Sequence, residues 1–240
     1  MVKQAKENDI IAVIMAAGQG TRMRPITDTI PKPLVRVHGT PMIETVIDAL
    51  EKKGVRHIYV VVGYLGEQFE YLTEQFRNVS IVENPYYKEI NNISSIYVVA
   101  DKIRNENCFF CEADLVISDS DVLSSEHAGS CYYGKFIKGY SDDWVFEQDK
   151  SGKITRIGKG GDDCYNMCGI SFFCREDSTI LADAIEKVWG TEGYEKLFWD
   201  EVADSNLDKL NLTVYPIKRG SIIEIDTVEE LQMIDDTYRS

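Results

Sequence analysis

The sequence predicts an α/β fold of the Rossmann-like kind, in which helices flank a mostly parallel central sheet and a smaller antiparallel portion follows. Two observations lead to this class. Apolar strand-like runs alternate with helical patterns through the first half of the chain. Those runs are continuous rather than alternately polar and apolar, as in strands whose two faces are both covered by helices. In the second half the runs are shorter and carry turn signals, which is typical of antiparallel strands.

The strands and helices of the first half can be placed in order. Strands are predicted at DIIAVIM, HIYVVVG, VSIVEN and CFFCEAD, and helices at TPMIETVIDALEKKG, GEQFEYLTEQF and SSIYVVADKI. The first of these helices is marked at both ends, with Thr40 at the cap position, Pro41 at the first helical position and Gly54 after the last turn. Strands that alternate with such helices pair in parallel through right-handed crossovers.

The second half is predicted to contain antiparallel strands, two helices and two further strands. A hairpin lies in WVFEQDKSGKITRI with DKSG as its turn, CGISFFC is another strand, and the rest are helices at EDSTILADAIEKVW and GYEKLFWDEVADS and strands at LNLTVYPI and SIIEID. In TVEELQMIDD, Thr227 and Glu230 have the spacing of a capping box at a helix start. Because no repeat, linker or low-complexity tract interrupts the pattern, residues 1–240 are expected to form a single domain.

Composition argues against several classes of protein. The chain has 240 residues, is 44% hydrophobic and carries a formal net charge of -14 at pH 7. Nucleic acids and anionic membranes are bound mainly through an excess of Lys and Arg, so neither is expected as a partner. The longest apolar run, Ile10 to Ala17, is far shorter than the roughly 20 residues of a membrane-spanning helix. The polar start MVKQAKEND does not resemble a signal peptide, which favours a cytoplasmic location.

The cysteines are expected to be core thiols. Cys108 and Cys111 lie in the strand-like run NCFFCEAD, where residues three apart point to opposite faces of a sheet. Cys164 and Cys168 lack a second pair of Cys or His residues at zinc-site spacing. Neither a disulfide framework nor a cysteine metal site is therefore predicted.

A phosphate-binding loop is predicted directly after the first strand. The chain turns after Met15 through Ala16, Ala17, Gly18 and Gly20, where backbone N–H groups can approach an anion. A dinucleotide-binding fingerprint would need its third glycine at position 23, which is Met23, and the Walker pattern is absent. Instead, three cations follow within a short segment of a very acidic chain: Arg22, Arg24 and Lys32. Cation count alone is equally consistent with a solvated charged face.

The string AAGQGTRMRP followed by PKPL resembles the signature of nucleotidyltransferases that join a nucleoside triphosphate to a phosphorylated small molecule. The resemblance implies that the loop holds the triphosphate through Ala16, Ala17, Gly18, Gly20, Thr21 and Arg22, and that Lys32 lies by the α-phosphate, so that Arg22 and Lys32 are the catalytic candidates. In-line attack at the α-phosphorus places negative charge on its oxygens and on departing pyrophosphate. Fixed cations stabilise both.

The same resemblance implies a magnesium site. Asp114 closes the strand CFFCEAD and Asp226 closes SIIEID, and they match the two aspartates that hold Mg²⁺ in this family. In a parallel-type sheet, both carboxylates are expected at the edge where the phosphate loop lies. Either aspartate alone is equally well explained as a helix cap or a turn residue.

Three further segments resemble the bacterial choline-phosphate cytidylyltransferases. INNISSIY, FWD and EIDTVEEL occur here in the order of that family, although Phe198 replaces a tyrosine and EAD replaces DAD. Hexose-1-phosphate relatives carry E-K-P, of which only Lys159 is found here in roughly that place. The P-K-Q and H-D-A-A-R strings of the methylerythritol-phosphate cytidylyltransferases are absent. The resemblance implies CTP and phosphocholine as substrates, with CDP-choline and pyrophosphate as products.

An acceptor box is expected in the smaller antiparallel portion and the helix beyond it. A quaternary ammonium cannot donate a hydrogen bond, so aromatic faces and carboxylates must recognise it. The candidates are Trp144, Phe198, Trp199, Asp200 and Glu224. Each of these aromatics is also of the kind commonly found in a core. For the cytosine base, Asn92 and Ser95 in INNISSIY are candidates.

Three alternatives to phosphocholine transfer stay open from the sequence. The acceptor can be 2-aminoethylphosphonate, whose primary ammonium favours carboxylates and hydrogen bonds over aromatics. It can also be a sugar 1-phosphate. A different class is a nucleotide-binding regulator that has kept the loop and lost turnover. The presence of Lys32, Asp114 and Asp226 argues against that last class, and the sequence carries no signal of oligomeric state.

Overall fold

The computed structural model describes residues 9–239. The strands are β1 Ile10–Ala16, β2 Arg36–Val37, β3 Thr40–Pro41, β4 His57–Val62, β5 Val79–Glu83, β6 Asn107–Glu112, β7 Leu115–Ile117, β8 Cys131–Gln148, β9 Ile154–Phe173, β10 Thr213–Pro216 and β11 Ile222–Glu224. The helices are α1 Met42–Lys53, α2 Tyr71–Gln75, α3 Ile93–Tyr97, α4 Ala100–Ile103, α5 Arg175–Val188, α6 Trp199–Asp204 and α7 Val228–Ile234. Short 3₁₀ turns connect several of them.

A seven-stranded sheet with the order β10-β8-β9-β6-β1-β4-β5 forms the centre of the fold. β1 pairs in parallel with β4 and with β6, and β4 pairs in parallel with β5. β9 joins antiparallel to β6 and to β8, so the sheet changes direction where the second half of the chain begins. Small antiparallel sheets of β11 with β7 and of β2 with β3 accompany it. The predicted α/β class, with its mostly parallel sheet and antiparallel portion, is confirmed.

Alternate residues of β1 enter two different cores, because both faces of the sheet are covered. Ile10, Ala12 and Ile14 pack on one face with the apolar side of α1. Ile11 and Val13 pack on the other face with α3, α4 and α5. Burial of such a side chain stabilises the fold by roughly 1.5–3 kcal/mol, which explains why the apolar runs are continuous.

The cysteines follow the same division of the sheet. Cys111 belongs to the first core and Cys108 to the second, as their spacing predicts. All cysteines of the described residues are free thiols, and only Cys174 is partly exposed. None of the helices found between residues 9 and 239 has the length and apolar character to cross a membrane.

Several predicted element bounds need correction. Helix α1 begins at Met42 with Pro41 as its N-cap, whereas Thr40 pairs with Val37 in the β2–β3 sheet instead of capping the helix. Gly54 ends the helix as expected, with a left-handed φ of 83° and its N–H bonded to the carbonyls of Leu50 and Glu51. The capping box of Thr227 and Glu230 is also present at the start of α7.

Three predicted helices are shorter than their apolar patterns. GEQFEYLTEQF is a 3₁₀ turn followed by α2, SSIYVVADKI is divided between α3 and α4, and GYEKLFWDEVADS contains a 3₁₀ turn before the short α6. Conversely, the hairpin around DKSG is much longer than expected, because β8 and β9 continue with several bulges from residue 131 to residue 173. Pairing between β8 and β9, rather than the local sequence pattern, sets the length of this hairpin.

Candidate active site

The predicted phosphate loop lies at the carboxyl end of β1, in the middle of the sheet. Ala16 and Ala17 are buried, while Gly18 and Thr21 are exposed to the cleft. Gly20 has a left-handed φ of 60°, and a Cβ there would lie 2.8 Å from the Cβ of Lys32. Glycine is therefore required at position 20 both by the backbone and by the space that Lys32 occupies.

Lys32 connects the loop to both predicted metal-binding aspartates. The residue is only 7% exposed, and its Nζ donates to Asp114 Oδ2 at 2.5 Å and to Asp226 Oδ1 at 2.7 Å. Burial by itself lowers the pKa of Lys32, but the charges and hydrogen bonds of the two carboxylates outweigh it and raise the pKa above its ordinary value. Lys32 is thus held as a cation at the centre of the cleft.

Arg22 lies on the solvent side of the same aspartate. Its guanidinium donates to both oxygens of Asp226, at 2.8 Å and 2.6 Å. Desolvation opposes ionisation of Asp226, but Lys32 and Arg22 more than compensate, so the pKa of this carboxyl is lowered. The third cation of the segment, Arg24, forms a surface pair with Asp28 instead.

A cluster of three carboxylates lies beside this network. One oxygen each of Glu112, Asp114 and Glu224 falls within 4.8 Å of the others. Desolvation and the neighbouring Asp114 raise the pKa of both glutamates, that of Glu224 to about 8, because charged forms so close together repel one another. Asp226 adds to the effect on Glu224. The cluster is therefore suited to a cation.

The donors present fit a magnesium ion. Asp114 Oδ1 is buried and has no hydrogen-bond partner among residues 9–239, although a carboxylate oxygen in that position normally has one. Hard oxygen donors are what Mg²⁺ selects. The structure also brings Asp114 and Asp226 together, but both oxygens of Asp226 are already engaged by Arg22 and Lys32.

The segment INNISSIY, in which candidates for the base were predicted, borders a second recess next to the phosphate loop. We call it the nucleotide-side recess. Asn92 and Ser95 both line it, together with Asn84, Tyr87 and Glu112 among others. Ser95 is only 3% exposed, and its Oγ accepts a hydrogen bond from Asn84 Nδ2 at 3.3 Å. Sequence reasoning missed Asn84, which follows β5 just as Gly18 follows β1; the position of Asn84 after a parallel strand was the available signal.

The predicted acceptor residues are divided between the cleft and the core. Trp144 and Phe198 form an edge-to-face pair with ring centroids 5.5 Å apart, and both are partly exposed. Trp199 is only 4% exposed and packs against Phe110 and Tyr132, at centroid distances of 5.4 Å and 5.7 Å. These neighbours leave little of the Trp199 ring available to a ligand.

Asp200 is buried at the bottom of a narrow recess next to the carboxylate cluster. It accepts a hydrogen bond from the Tyr132 hydroxyl at 3.1 Å, and desolvation raises its pKa to about 7. Glu112 and Ser171 line the same recess. Sequence reasoning missed Glu112 as a site residue, although its place at the end of β6, two residues before Asp114, was a usable signal.

The amino-acid sequence of this chain is similar to those of known proteins over most of its length. The model of the MobA-like NTP transferase domain matches residues 12–130. The chain is 49% identical over 237 residues to the 2-aminoethylphosphonate cytidylyltransferase of Lancefieldella rimae, an alignment that covers 99% of this chain and 96% of that protein. It is 30% identical over 229 residues to the choline-phosphate cytidylyltransferase of Streptococcus pneumoniae, covering 95% of this chain and 98% of that protein.

A solved structure extends the comparison to three dimensions. The structure of the CTP:phosphocholine cytidylyltransferase from Streptococcus pneumoniae superposes with a TM-score of 0.85 at 29% identity, over 96% of this chain and 100% of that chain. The likeness thus includes the sheet, the phosphate loop and the antiparallel portion together. With the full-length sequence relatives, it establishes that the chain belongs to the nucleotidyltransferase family.

Proposed function

We propose that this protein is a cytidylyltransferase that joins the CMP portion of CTP to 2-aminoethylphosphonate and releases pyrophosphate. Cytidylyltransferase activity is common to the full-length relatives, at 49% and 30% identity. One structural observation favours the aminophosphonate: Glu224 brings a carboxylate into the cleft beside Glu112 and Asp114, while Trp199 is enclosed in the core. A primary ammonium donates hydrogen bonds to carboxylates, whereas a quaternary ammonium depends on open aromatic faces.

In this proposal the nucleotide occupies the part of the cleft that the phosphate loop lines. The backbone around Gly18 and Gly20 receives the triphosphate, and Lys32 lies where negative charge develops on the α-phosphate. A phosphonate oxygen of the acceptor forms a bond to the α-phosphorus as the bond to the oxygen bridging the α- and β-phosphates breaks. Pyrophosphate carries away that electron pair. Arg22, the most exposed cation of the loop, is suited to the leaving group.

Magnesium would be held by Asp114, with Glu112 nearest to it and Asp226 joining when Arg22 releases a carboxylate oxygen. When bound, the ion would neutralise phosphate charge and align the reacting groups. The residues of the chain supply the rest: Lys32 contributes a fixed positive charge and the loop orients the phosphates.

The charge balance of the cleft also favours a cationic acceptor. Carboxylates from Glu112, Asp114, Glu224 and Asp226 outnumber the cations Arg22 and Lys32 that line the same recesses. Desolvation is the first cause of the raised pKa values of both glutamates, and the neighbouring carboxylates add to it. A divalent metal ion and the acceptor ammonium together would offset it, so we place the ammonium against Glu224.

The anionic end of the acceptor has a separate candidate partner. Lys135 on β8 and Arg219 after β10 line a recess that adjoins Glu224 and Asp226. Neither of them forms an ion pair within 4 Å with another described residue. They are thus available to hold a phosphonate close to the carboxylate cluster.

Phosphocholine is the second candidate acceptor, favoured by the Trp144–Phe198 pair. Both rings are partly exposed, and a trimethylammonium group placed against them would gain roughly 0.5–2 kcal/mol. A matrix of pyrophosphate release tests the choice: CTP, ATP, GTP and UTP against 2-aminoethylphosphonate, phosphocholine and a hexose 1-phosphate. We expect CTP with 2-aminoethylphosphonate to have the highest kcat/KM. A higher value with phosphocholine would favour the second candidate, and one with UTP and a sugar phosphate would contradict both.

A further inference from the structure

Helix α6, which carries Trp199 and Asp200, has no capping side chain at its N-cap position. Its N-cap residue is Phe198, which has no hydrogen-bonding group in its side chain. The first backbone N–H groups of a helix have no partner within the helix and need one from elsewhere. Glu201 supplies a partner for the Phe198 N–H, from which its carboxylate accepts a hydrogen bond at 2.8 Å. The next donor, the Trp199 N–H, needs a different acceptor.

The Trp199 N–H is capped from a distant part of the chain. Asn92 Oδ1 accepts its hydrogen bond at 3.0 Å, across a separation of 107 residues. Asn92 is itself the N-cap residue of α3, yet its side chain makes no hydrogen bond to α3. An asparagine at this position usually caps its own helix, whereas here the Asn92 side chain caps α6.

Neighbouring contacts join the same two segments. The backbone N–H of Asn91 donates to the carbonyl of Glu195 at 2.9 Å, and Asn91 Nδ2 donates to the carbonyl of Lys196 at 3.2 Å. The first residue of α6 and the segment before it are therefore attached to residues 91–92 at three points. Residues 91–92 line the nucleotide-side recess, whereas Trp199 and Asp200 line the narrow recess beyond Glu112.

The orientation of the Asn92 amide follows from this network. If its oxygen and nitrogen were exchanged, an N–H donor would face the Trp199 N–H donor. The carbonyl oxygen must therefore face α6. The Nδ2 atom has no protein acceptor in the part of the chain that the structure describes, and Asn92 borders the open recess.

We propose that Asn92 is a positioning residue that fixes the start of α6 relative to the nucleotide half of the cleft, so that the acceptor side is correctly placed for the attack. This inference rests on the proposed transfer of CMP to a second substrate. It assigns to Asn92 a role different from reading the base. Loss of the carbonyl should weaken acceptor binding more than CTP binding while the global fold remains.

Two substitutions at Asn92 and one elsewhere test the role. Asn92→Ala removes the carbonyl, whereas Asn92→Asp keeps an oxygen at the same place. Asn206→Ala is the matched control, because Asn206 is also half-buried and also makes one side-chain bond to α6, donating to the Val202 carbonyl at 2.9 Å near the opposite end. For each variant, KM for both substrates, kcat and the melting temperature are measured.

We expect Asn92→Ala to raise KM for the acceptor about two- to tenfold, the effect of one lost neutral hydrogen bond, and to raise KM for CTP by a smaller factor. Asn92→Asp should return the acceptor KM close to the wild-type value, and Asn206→Ala should leave both constants unchanged. An equal rise for CTP and acceptor in Asn92→Ala would overturn the proposal, as would an Asn206→Ala effect of the same size or no rescue by Asp.

Amide hydrogen exchange gives a readout that does not depend on the substrates. The Trp199 amide should exchange slowly in wild type and in Asn92→Asp, and at least several-fold faster in Asn92→Ala. If wild type turns out to use another acceptor, the proposed function fails while this exchange result still tests the cap. Unchanged protection of Trp199 in Asn92→Ala would contradict the positioning role whatever the acceptor.

Discussion

Arg22 and Asp226 form a bidentate ion pair, with both terminal nitrogens of the guanidinium within 2.8 Å of the carboxylate. The two residues are 204 positions apart, so this pair closes the phosphate loop against the segment between β11 and α7. Lys32 reaches the same carboxylate from the buried side at 2.7 Å. A triphosphate entering the loop therefore meets cations that are already in place but must exchange partners.

Lys32→Ala should remove a preorganised charge at the reacting phosphate. We expect kcat to fall by roughly a hundredfold or more, corresponding to about 3 kcal/mol of transition-state stabilisation. Single-turnover measurement with saturating CTP separates chemistry from binding, and Lys138→Ala, on the exposed part of β8, serves as the control. A defect limited to KM for CTP, with the single-turnover rate preserved, would contradict this role for Lys32.

Asp114→Asn and Asp226→Asn should each increase the magnesium requirement. Each change removes an anionic oxygen while it keeps the shape of the side chain. We expect the activity of each variant to be low at a magnesium concentration that saturates wild type, with Asp114→Asn the more severe because Asp114 Oδ1 is the oxygen without a protein partner. Asp48→Asn, on the exposed side of α1, is the control. Near-normal rates of both variants at limiting magnesium would show that the ion binds elsewhere.

Glu224→Gln should distinguish the two candidate acceptors. The proposed contact between Glu224 and a primary ammonium is charge-assisted, and such bonds contribute roughly 1.5–3 kcal/mol. KM for 2-aminoethylphosphonate is therefore expected to rise about tenfold or more, and that for phosphocholine to rise less. Glu229→Gln on the exposed side of α7 controls for the loss of one negative charge. Equal effects on both acceptors would remove Glu224 as the ammonium contact.

Trp199→Ala should act mainly on stability. The indole is almost fully buried and packs against Phe110, Tyr132 and Phe173. Truncation of such a side chain destabilises a protein by about 3–5 kcal/mol, and we expect denaturant unfolding to report a loss in that range. On folded protein, KM for CTP and for the acceptor should change together. A several-fold effect on phosphocholine alone would instead identify Trp199 as part of an aromatic acceptor box.

His127 should make the fold sensitive to mild acid. Burial, aided by the charge of Lys53, lowers its pKa from 6.5 to about 4, while its ring stacks on Phe172 and its Nε2 shares a hydrogen bond with Tyr133. Below pH 6.5 the unfolded chain binds a proton that the folded protein does not accept until about pH 4. Stability is therefore lost as pH falls through this window, by at most about 3 kcal/mol.

Comparison of unfolding free energies at pH 7.5 and pH 5 checks the effect of His127. His127→Phe keeps a ring but cannot titrate, so its stability should change less between the two pH values than that of wild type. His38→Ala, at an exposed histidine, should behave like wild type. An identical pH dependence for wild type and His127→Phe would contradict the assignment.

The sequence by itself determined the class of the fold and the loop half of the site. Continuous apolar runs predict strands covered on both faces, and both cores of β1 agree with that pattern. The spacing from Gly18 to Lys32 is local, so its chemistry can be recognised without knowing the rest of the structure. Asp114 and Asp226 were predicted to meet near the loop because ends of parallel-type strands share an edge, and both do contact Lys32. The reason was wrong for Asp226, because β11 pairs antiparallel with β7 in a separate two-stranded sheet.

Only the tertiary structure decided the arrangement of the acceptor half. The string FWD places an aromatic and a carboxylate side by side in sequence. Packing of α6 against β6 and β8 nevertheless buries Trp199, and Asp200 accepts a hydrogen bond from the Tyr132 hydroxyl. Glu112 becomes part of the carboxylate cluster only because β6 and β11 bring it close to Glu224. Burial and long-range proximity depend on which surfaces meet in the fold, and no local residue pattern contains that information.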